Sequence, residues 1–168
     1  MIIIIVVIIG PAVTRHQDGH NRRSLFLQSL PIRFGGYSQR WDGGVAWCPH
    51  KITSEEKIAA VGRAWRVTRG QLADIVAQEN RKETKEVSLP NGFPEPGEAV
   101  KTNNGLIDLL ISLDPIIGIP ALTLGSSNPP PPGPPSPSYR AVLAAGMSEM
   151  GLTSAEIMHY LSALEVKA

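Results

Sequence analysis

Cysteine is almost missing from this chain. Cys48 is the only one in 168 residues, so no disulfide can form within it. A lone thiol fits a reducing cytoplasm, which is where the protein is expected. An excess of either charge is missing too. The 16 Lys and Arg offset the 15 Asp and Glu to a net +1, and the basic residues form no stripe. There is no electrostatic footprint for a nucleic-acid partner. No apolar run reaches the roughly 20 residues that a membrane-spanning helix needs. The longest, Ile2 to Ile9, has no basic flank before it and no clear small-residue cleavage site after it, so it does not read as a secretory signal. Metal-ligand clusters are lacking as well. His16 and His20 have ligand spacing only if helical, but Gly19 and the polar context make that stretch a loop, with no acidic or thiol partner. A zinc site, and with it a metal-dependent amidohydrolase, is not expected. Cys48-Pro49-His50 places a thiol beside a base, yet neighbours split by a proline seldom reach the geometry of a nucleophile and its base. Cys48 reads as a small buried residue.

What is present fits one domain over residues 1–168, long enough to bury a core. The β-branched run Ile2–Ile9, stopped by Gly10-Pro11, predicts a strand buried on both faces, with a membrane-peripheral anchor as the lesser alternative. Leu25–Phe34 reads as a strand interrupted at Pro31, Gly35–Ser38 as a turn, and Gly43–Cys48 and Ile58–Val67 as strands. Arg81–Gly105 is long, charged and rich in Pro, Gly and Asn. It reads as a lid or binding loop with a short strand around Ala99-Val100. Leu106–Leu113 and Ile116–Leu124 read as strands around an Asp114-Pro115 turn. Asn128–Pro137 is proline-dense. It reads as a stiff surface connector, or less readily as a ligand for proline-binding modules. Ser136-Pro137 starts a helix with Tyr139, Val142, Leu143, Met147 and Met150 on its apolar face, and Gly151 ends it. Thr153 and Glu156 form a capping box for a last helix with Ile157, Tyr160, Leu161 and Leu164 as its stripe. Short strands with three helices predict an α+β domain.

One acidic residue stands out. Thr68–Asn80 reads as a helix with a capping box of Thr68 and Gln71. Within it Leu72, Ile75, Val76 and Glu79 fall at i, i+3, i+4 and i+7, on one face. A carboxylate forced toward an apolar face has its charged form disfavoured, which raises its pKa and suits it to acid/base work near neutral pH. The plainer reading is a fraying helix end with Glu79 turned to water.

Four pieces then occur in order. They are Ser38-Gln39-Arg40-Trp41-Asp42-Gly43-Gly44-Val45-Ala46, Val61-Gly62-Arg63-Ala64-Trp65, Gln78-Glu79-Asn80, and Pro134-Pro135-Ser136-Pro137-Ser138-Tyr139. Together they resemble the gamma-glutamylcyclotransferase family over roughly residues 24–166. The resemblance implies a small mixed β-barrel with helices packed around it. It also implies an enzyme that turns gamma-glutamyl amides into 5-oxoproline and a free amine. Glu79 matches the family's helix-borne general acid/base, and Tyr139 a tyrosine near the site. Tyr139 is equally a residue of its helix's apolar face. Trp41 can line a pocket, though large aromatics in short strands are usually core. Arg63, on the strand face of Val61 and Trp65, is a candidate to hold a carboxylate, with a solvated edge as the plainer reading. The expectation is Glu79 as the catalytic residue, with Tyr139, Arg63, Trp41, Gly43 and Gly44 contacting a small gamma-glutamyl compound. No metal or cofactor is implied. One feature departs from the family. Its loop after the first strand reads Tyr-Gly-Ser-Asn, whereas Gly10-Pro11-Ala12-Val13-Thr14 follows here, and Pro11 lacks an N–H. A truncated front, a misplaced start and true divergence all fit this. The alternative function is therefore a degenerate ligand-binding module on the same fold.

Overall fold

A computed structural model describes residues 2–7, 24–27, 33–48 and 60–165 of the chain. Their elements are β1 (Ile2–Val7), β2 (Ser24–Leu27), β3 (Arg33–Ser38), β4 (Gly43–Trp47), β5 (Ala60–Thr68), α1 (Arg69–Glu79), a 3-10 turn (Thr84–Glu86), β6 (Ala99–Lys101), β7 (Leu109–Ile116), β8 (Ile119–Gly125), α2 (Pro137–Glu149) and α3 (Ser154–Glu165). The fold is mixed α+β. Two compact units are present, one of residues 1–7, 48–51 and 64–129, the other of 8–47, 52–63 and 130–168. His16, His20, Pro49, His50 and the Gly10–Thr14 stretch lie outside the described residues. Among the described residues no helix is long and apolar enough to cross a membrane.

In the first unit the strand order is β5-β1-β8-β7-β6. β1 lies inside this sheet and runs parallel to β8, with Ile4 opposite Ala121 and Ile5 opposite Leu122. An interior parallel strand is where an unbroken β-branched run belongs. β7 is antiparallel to both β8 and β6. Among the described residues the strand order has two ends and no ring of strands closes.

The β7–β8 turn is not at Asp114-Pro115. β7 continues to Ile116, which pairs with Ile119, and the reversal falls on Ile117 and Gly118 at φ 53° and 71°. Two consecutive positive φ values give the backbone twist that a two-residue hairpin needs. Asp114 and Pro115 occupy a bulge between Leu113 and Ile116, where proline's missing N–H disrupts no ladder bond.

Helix α1 starts as its capping box predicts. Thr68 Oγ1 accepts from the Gln71 N–H at 3.2 Å, and Gln71 Oε1 accepts from the Thr68 N–H at 2.8 Å. Leu72 and Val76 from this helix meet Leu110 and Leu122 from the sheet in the core, with Trp65, Val67, Ile75, Val87, Leu89, Phe93, Val100 and Leu124 packed around them. Each fully buried aliphatic side chain contributes about 1.5–3 kcal/mol relative to exposure.

The long segment after α1 holds the expected short strand, β6, and is tied down by polar side chains. Asn104, fully buried, donates through Nδ2 to the Ser88 carbonyl at 2.9 Å and accepts the Ser88 N–H at 2.9 Å. Buried Asp108 accepts from the Ser127 N–H at 2.7 Å and the Ser127 hydroxyl at 2.6 Å, with Lys101 Nζ at 3.3 Å. Burial pushes its carboxyl up, but the bonds from Ser127 and Lys101 outweigh that and hold it below the ordinary range. A depressed folded-state pKa contributes stability above the unfolded value, which is lost as pH falls through the folded one. Lys101 is mostly exposed and screened, so Ser127 carries most of the effect. Asp108→Asn is therefore expected to lower stability at pH 7 by about 1 kcal/mol. The difference from the parent should shrink below about pH 4, as thermal unfolding at several pH values would show.

In the second unit β2 pairs antiparallel with the start of β5, and β3 with β4. Gly35–Ser38 is strand rather than turn. Its ladder shifts register between Gly35 and Ser38, and Gly36 absorbs the irregularity at φ 66°. Ser136 caps α2 by accepting the Tyr139 N–H at 3.2 Å, with Pro137 in the first turn. Leu143, Gly146 and Met147 are the buried residues of α2, while Tyr139, Val142 and Met150 are only half-buried. Gly151 takes φ 92° after it. Thr153 and Glu156 form the second capping box, and Ile157, Tyr160, Leu161 and Leu164 are buried.

Candidate functional site

Glu79 belongs to the first unit and is the last residue of α1. Seven helical steps put it within about 20° of Leu72's direction. The buried stripe nevertheless ends before it: Leu72, Val76 and Ala77 are buried, Ile75 is half-buried and Glu79 is exposed. Its carboxyl is still pushed above the ordinary glutamate range, and burial is the cause. Part of the side chain is open to water or a small ligand, while the protein packed around the rest displaces bulk water and disfavours the charge. Glu79 is accordingly reachable, and its neutral form persists to higher pH than that of an ordinary glutamate. Such an acid can take up and return a proton nearer neutral pH than an ordinary glutamate.

Trp41, Tyr139, Gly43 and Gly44 come together in the second unit. The Tyr139 ring lies 5.3 Å from Trp41, tilted at 42°, and 6.3 Å edge-on from Phe34. Its hydroxyl accepts the Ala46 N–H at 3.2 Å. Arg40 sits 5.1 Å over the Trp41 ring. Phe34 completes this aromatic group, and nothing in its sequence neighbourhood singled it out.

Gly43 and Gly44 lie against the proline segment. A Cβ on Gly43 would fall 2.7 Å from the Ser136 nitrogen, and one on Gly44 would collide with the Gly133 carbonyl oxygen. The segment is bound through its backbone. Gly36 N–H donates to the Pro131 carbonyl at 2.9 Å, Gly44 N–H to that of Pro134 at 2.8 Å, and Gly133 N–H to that of Phe34 at 3.2 Å. These three bonds use the few backbone groups that a proline-rich stretch has left to offer.

Arg63 is committed locally. Its Nη2 meets Glu149 Oε2 at 3.0 Å, with the arginine side chain only 20% exposed and the glutamate 58%. Cys48 is buried, and burial pushes its thiol up to about 12. That suppresses the thiolate a nucleophile needs.

Solved structures share this arrangement of elements. One is a gamma-glutamyl cyclotransferase, 17% identical, with 95% of this chain and 86% of that chain covered at a TM-score of 0.54. Another is the uncharacterized protein loc79017 from Homo sapiens, 18% identical over the same shares at a TM-score of 0.56. The fold is gamma-glutamyl cyclotransferase-like. The likeness is one of fold: no protein-family model matches the chain, and no curated protein matches it in sequence. Within this fold the four sequence pieces fall on the turn into β4, on β5, at the end of α1 and at the start of α2.

Proposed function

We propose that the protein is a gamma-glutamylcyclotransferase-type enzyme. It would release 5-oxoproline and a free amine from a small gamma-glutamyl amide, in a reducing cytoplasm and without metal or cofactor. One observation carries the reading: Glu79, in a chain of cyclotransferase-like fold, is an accessible carboxyl whose neutral form burial favours. A single domain over residues 1–168 and a small mixed β-barrel are proposed with it.

The chemistry needs little beyond this group and a pocket. The substrate's α-ammonium gives a proton to the Glu79 carboxylate. The freed amine attacks the γ-carbonyl carbon and forms the ring C–N bond. As the tetrahedral adduct collapses, the γ-amide C–N bond breaks, Glu79 returns the proton to the departing amine, and the ring nitrogen gives up its second proton, which leaves with the free amine as its ammonium. Both reacting groups belong to one molecule, so most of the acceleration comes from holding it in a ring-closing conformation. Incubating the purified protein with gamma-glutamyl dipeptides should yield 5-oxoproline. No product from any of them ends the reading.

A second reading has the Gly10–Thr14 sequence in its favour, since it departs from the Tyr-Gly-Ser-Asn sequence whose N–H groups cradle the substrate in the family. Glu79 would then hold an amine ligand without turning it over. Calorimetric heat of binding with no 5-oxoproline formed would select this reading over the first.

A further inference from the structure

The last turn of a helix leaves carbonyls unpaired and frays readily. A proton shuttle carried there would wander, and a misplacement of about 1 Å can cost about 10²-fold in rate. This helix end is fastened. The Asn80 N–H donates to the Val76 and Ala77 carbonyls, each at 3.2 Å. Its side-chain Nδ2 donates again to Val76 at 3.0 Å and to the Ile107 carbonyl at 2.9 Å, while Oδ1 accepts the Ile107 N–H at 3.0 Å. The carboxamide thus pairs both ways with one backbone residue 27 positions away. Gly105 makes room for it. A Cβ there would lie 2.5 Å from Asn80 Oδ1, and its φ of 133° suits only glycine.

We infer that Asn80 is a positioning residue for Glu79: its carboxamide pins the end of α1 to the 105–107 backbone and so fixes where the neighbouring carboxyl stands. The catalytic consequence rests on the cyclotransferase reading, while the geometry does not. The residue type is specific. Aspartate would keep an acceptor for the Ile107 N–H but lose both Nδ2 donations, and alanine would lose all three side-chain bonds.

The test compares the parent with Asn80→Ala, Asn80→Asp and Asn104→Ala on a gamma-glutamyl dipeptide, below the unfolding temperature of each. Asn104 ties the same long segment to Ser88 and not to α1, so its variant controls for loosening of that segment. Both Asn80 variants should lose kcat about tenfold with KM within about twofold, while Asn104→Ala keeps kcat within about twofold. The aspartate variant preserves side-chain shape and keeps the test readable if the alanine variant does not fold. An unchanged kcat in the Asn80 variants, or an equal loss in Asn104→Ala, overturns the inference. Absence of 5-oxoproline from the parent defeats the proposed function instead. Asn80 is then judged by NMR titration of the Glu79 carboxyl, which burial alone displaces. In Asn80→Ala the midpoint should move back toward the ordinary glutamate range. An unmoved midpoint overturns the inference.

Discussion

Glu79→Gln is expected to cut 5-oxoproline release by about 10²–10⁴-fold and leave the fold intact, because general acid/base groups contribute on that scale. The amide keeps the side chain's size and removes its transferable proton. Retention of activity within about twofold would remove Glu79 from the mechanism. The pH dependence adds a signed test. The working base is the carboxylate, and its pKa is raised by burial. In the parent, kcat/KM should therefore climb with pH along an acid limb placed above the ordinary glutamate value of about 4.3. Stability runs the other way. A folded-state pKa above the unfolded one gives a contribution that is full below the unfolded value and is lost as pH rises through the folded one. Glutamine does not titrate, so the variant's Tm relative to the parent should improve from acid to neutral pH. Activity lost and thermal stability gained over one pH range is a pairing that a merely structural glutamate would not produce.

Gly44→Ala is the second large effect. Its added methyl would land on the Gly133 carbonyl, a backbone atom that cannot swing aside as a side chain can. The neighbouring bond from the Gly44 N–H to the Pro134 carbonyl, at 2.8 Å, would be strained or lost with it. Overpacking of about 1–3 kcal/mol and a hydrogen bond of about 1 kcal/mol combine to roughly 2–4 kcal/mol. For a chain of this size that is a fall in Tm on the order of 10 °C. Gly92→Ala is the matched control, since nothing lies within 4 Å of the methyl it would add. Its Tm should stay within about 2 °C of the parent. Equal behaviour of the two variants would mean that the proline segment does not hold β3 and β4 as described.

The parts of this fold that were legible in the sequence are those governed by neighbours a few residues apart. The Thr68/Gln71 and Thr153/Glu156 boxes, the Ser136-Pro137 start and the Gly151 stop all act within a turn of helix, so spacing suffices to read them. The hairpin turns are not legible in this way, for the converse reason. Gly35-Gly36 and Asp114-Pro115 carry turn chemistry, but cross-strand pairing absorbs both as bulges, and pairing is not local information. The candidate site divides the same way. Glu79 could be named from its helical position, whereas its exposure, beyond the buried Leu72, Val76 and Ala77, depends on tertiary packing. The partner of Asn80 lies 27 residues on, and no spacing rule connects an asparagine at a helix end with the glycine that leaves room for it.

The long segment after α1 is gripped by carboxamides at two points, Asn80 on Ile107 and Asn104 on Ser88. Apolar contacts slacken when water is chilled, because the drive to hide hydrocarbon fades with falling temperature. The Val87, Leu89 and Phe93 contacts of this stretch should slacken with the Leu72–Leu122 interior on cooling, while the two amide seams, which do not depend on hiding hydrocarbon, keep it tied at Ile107 and Ser88.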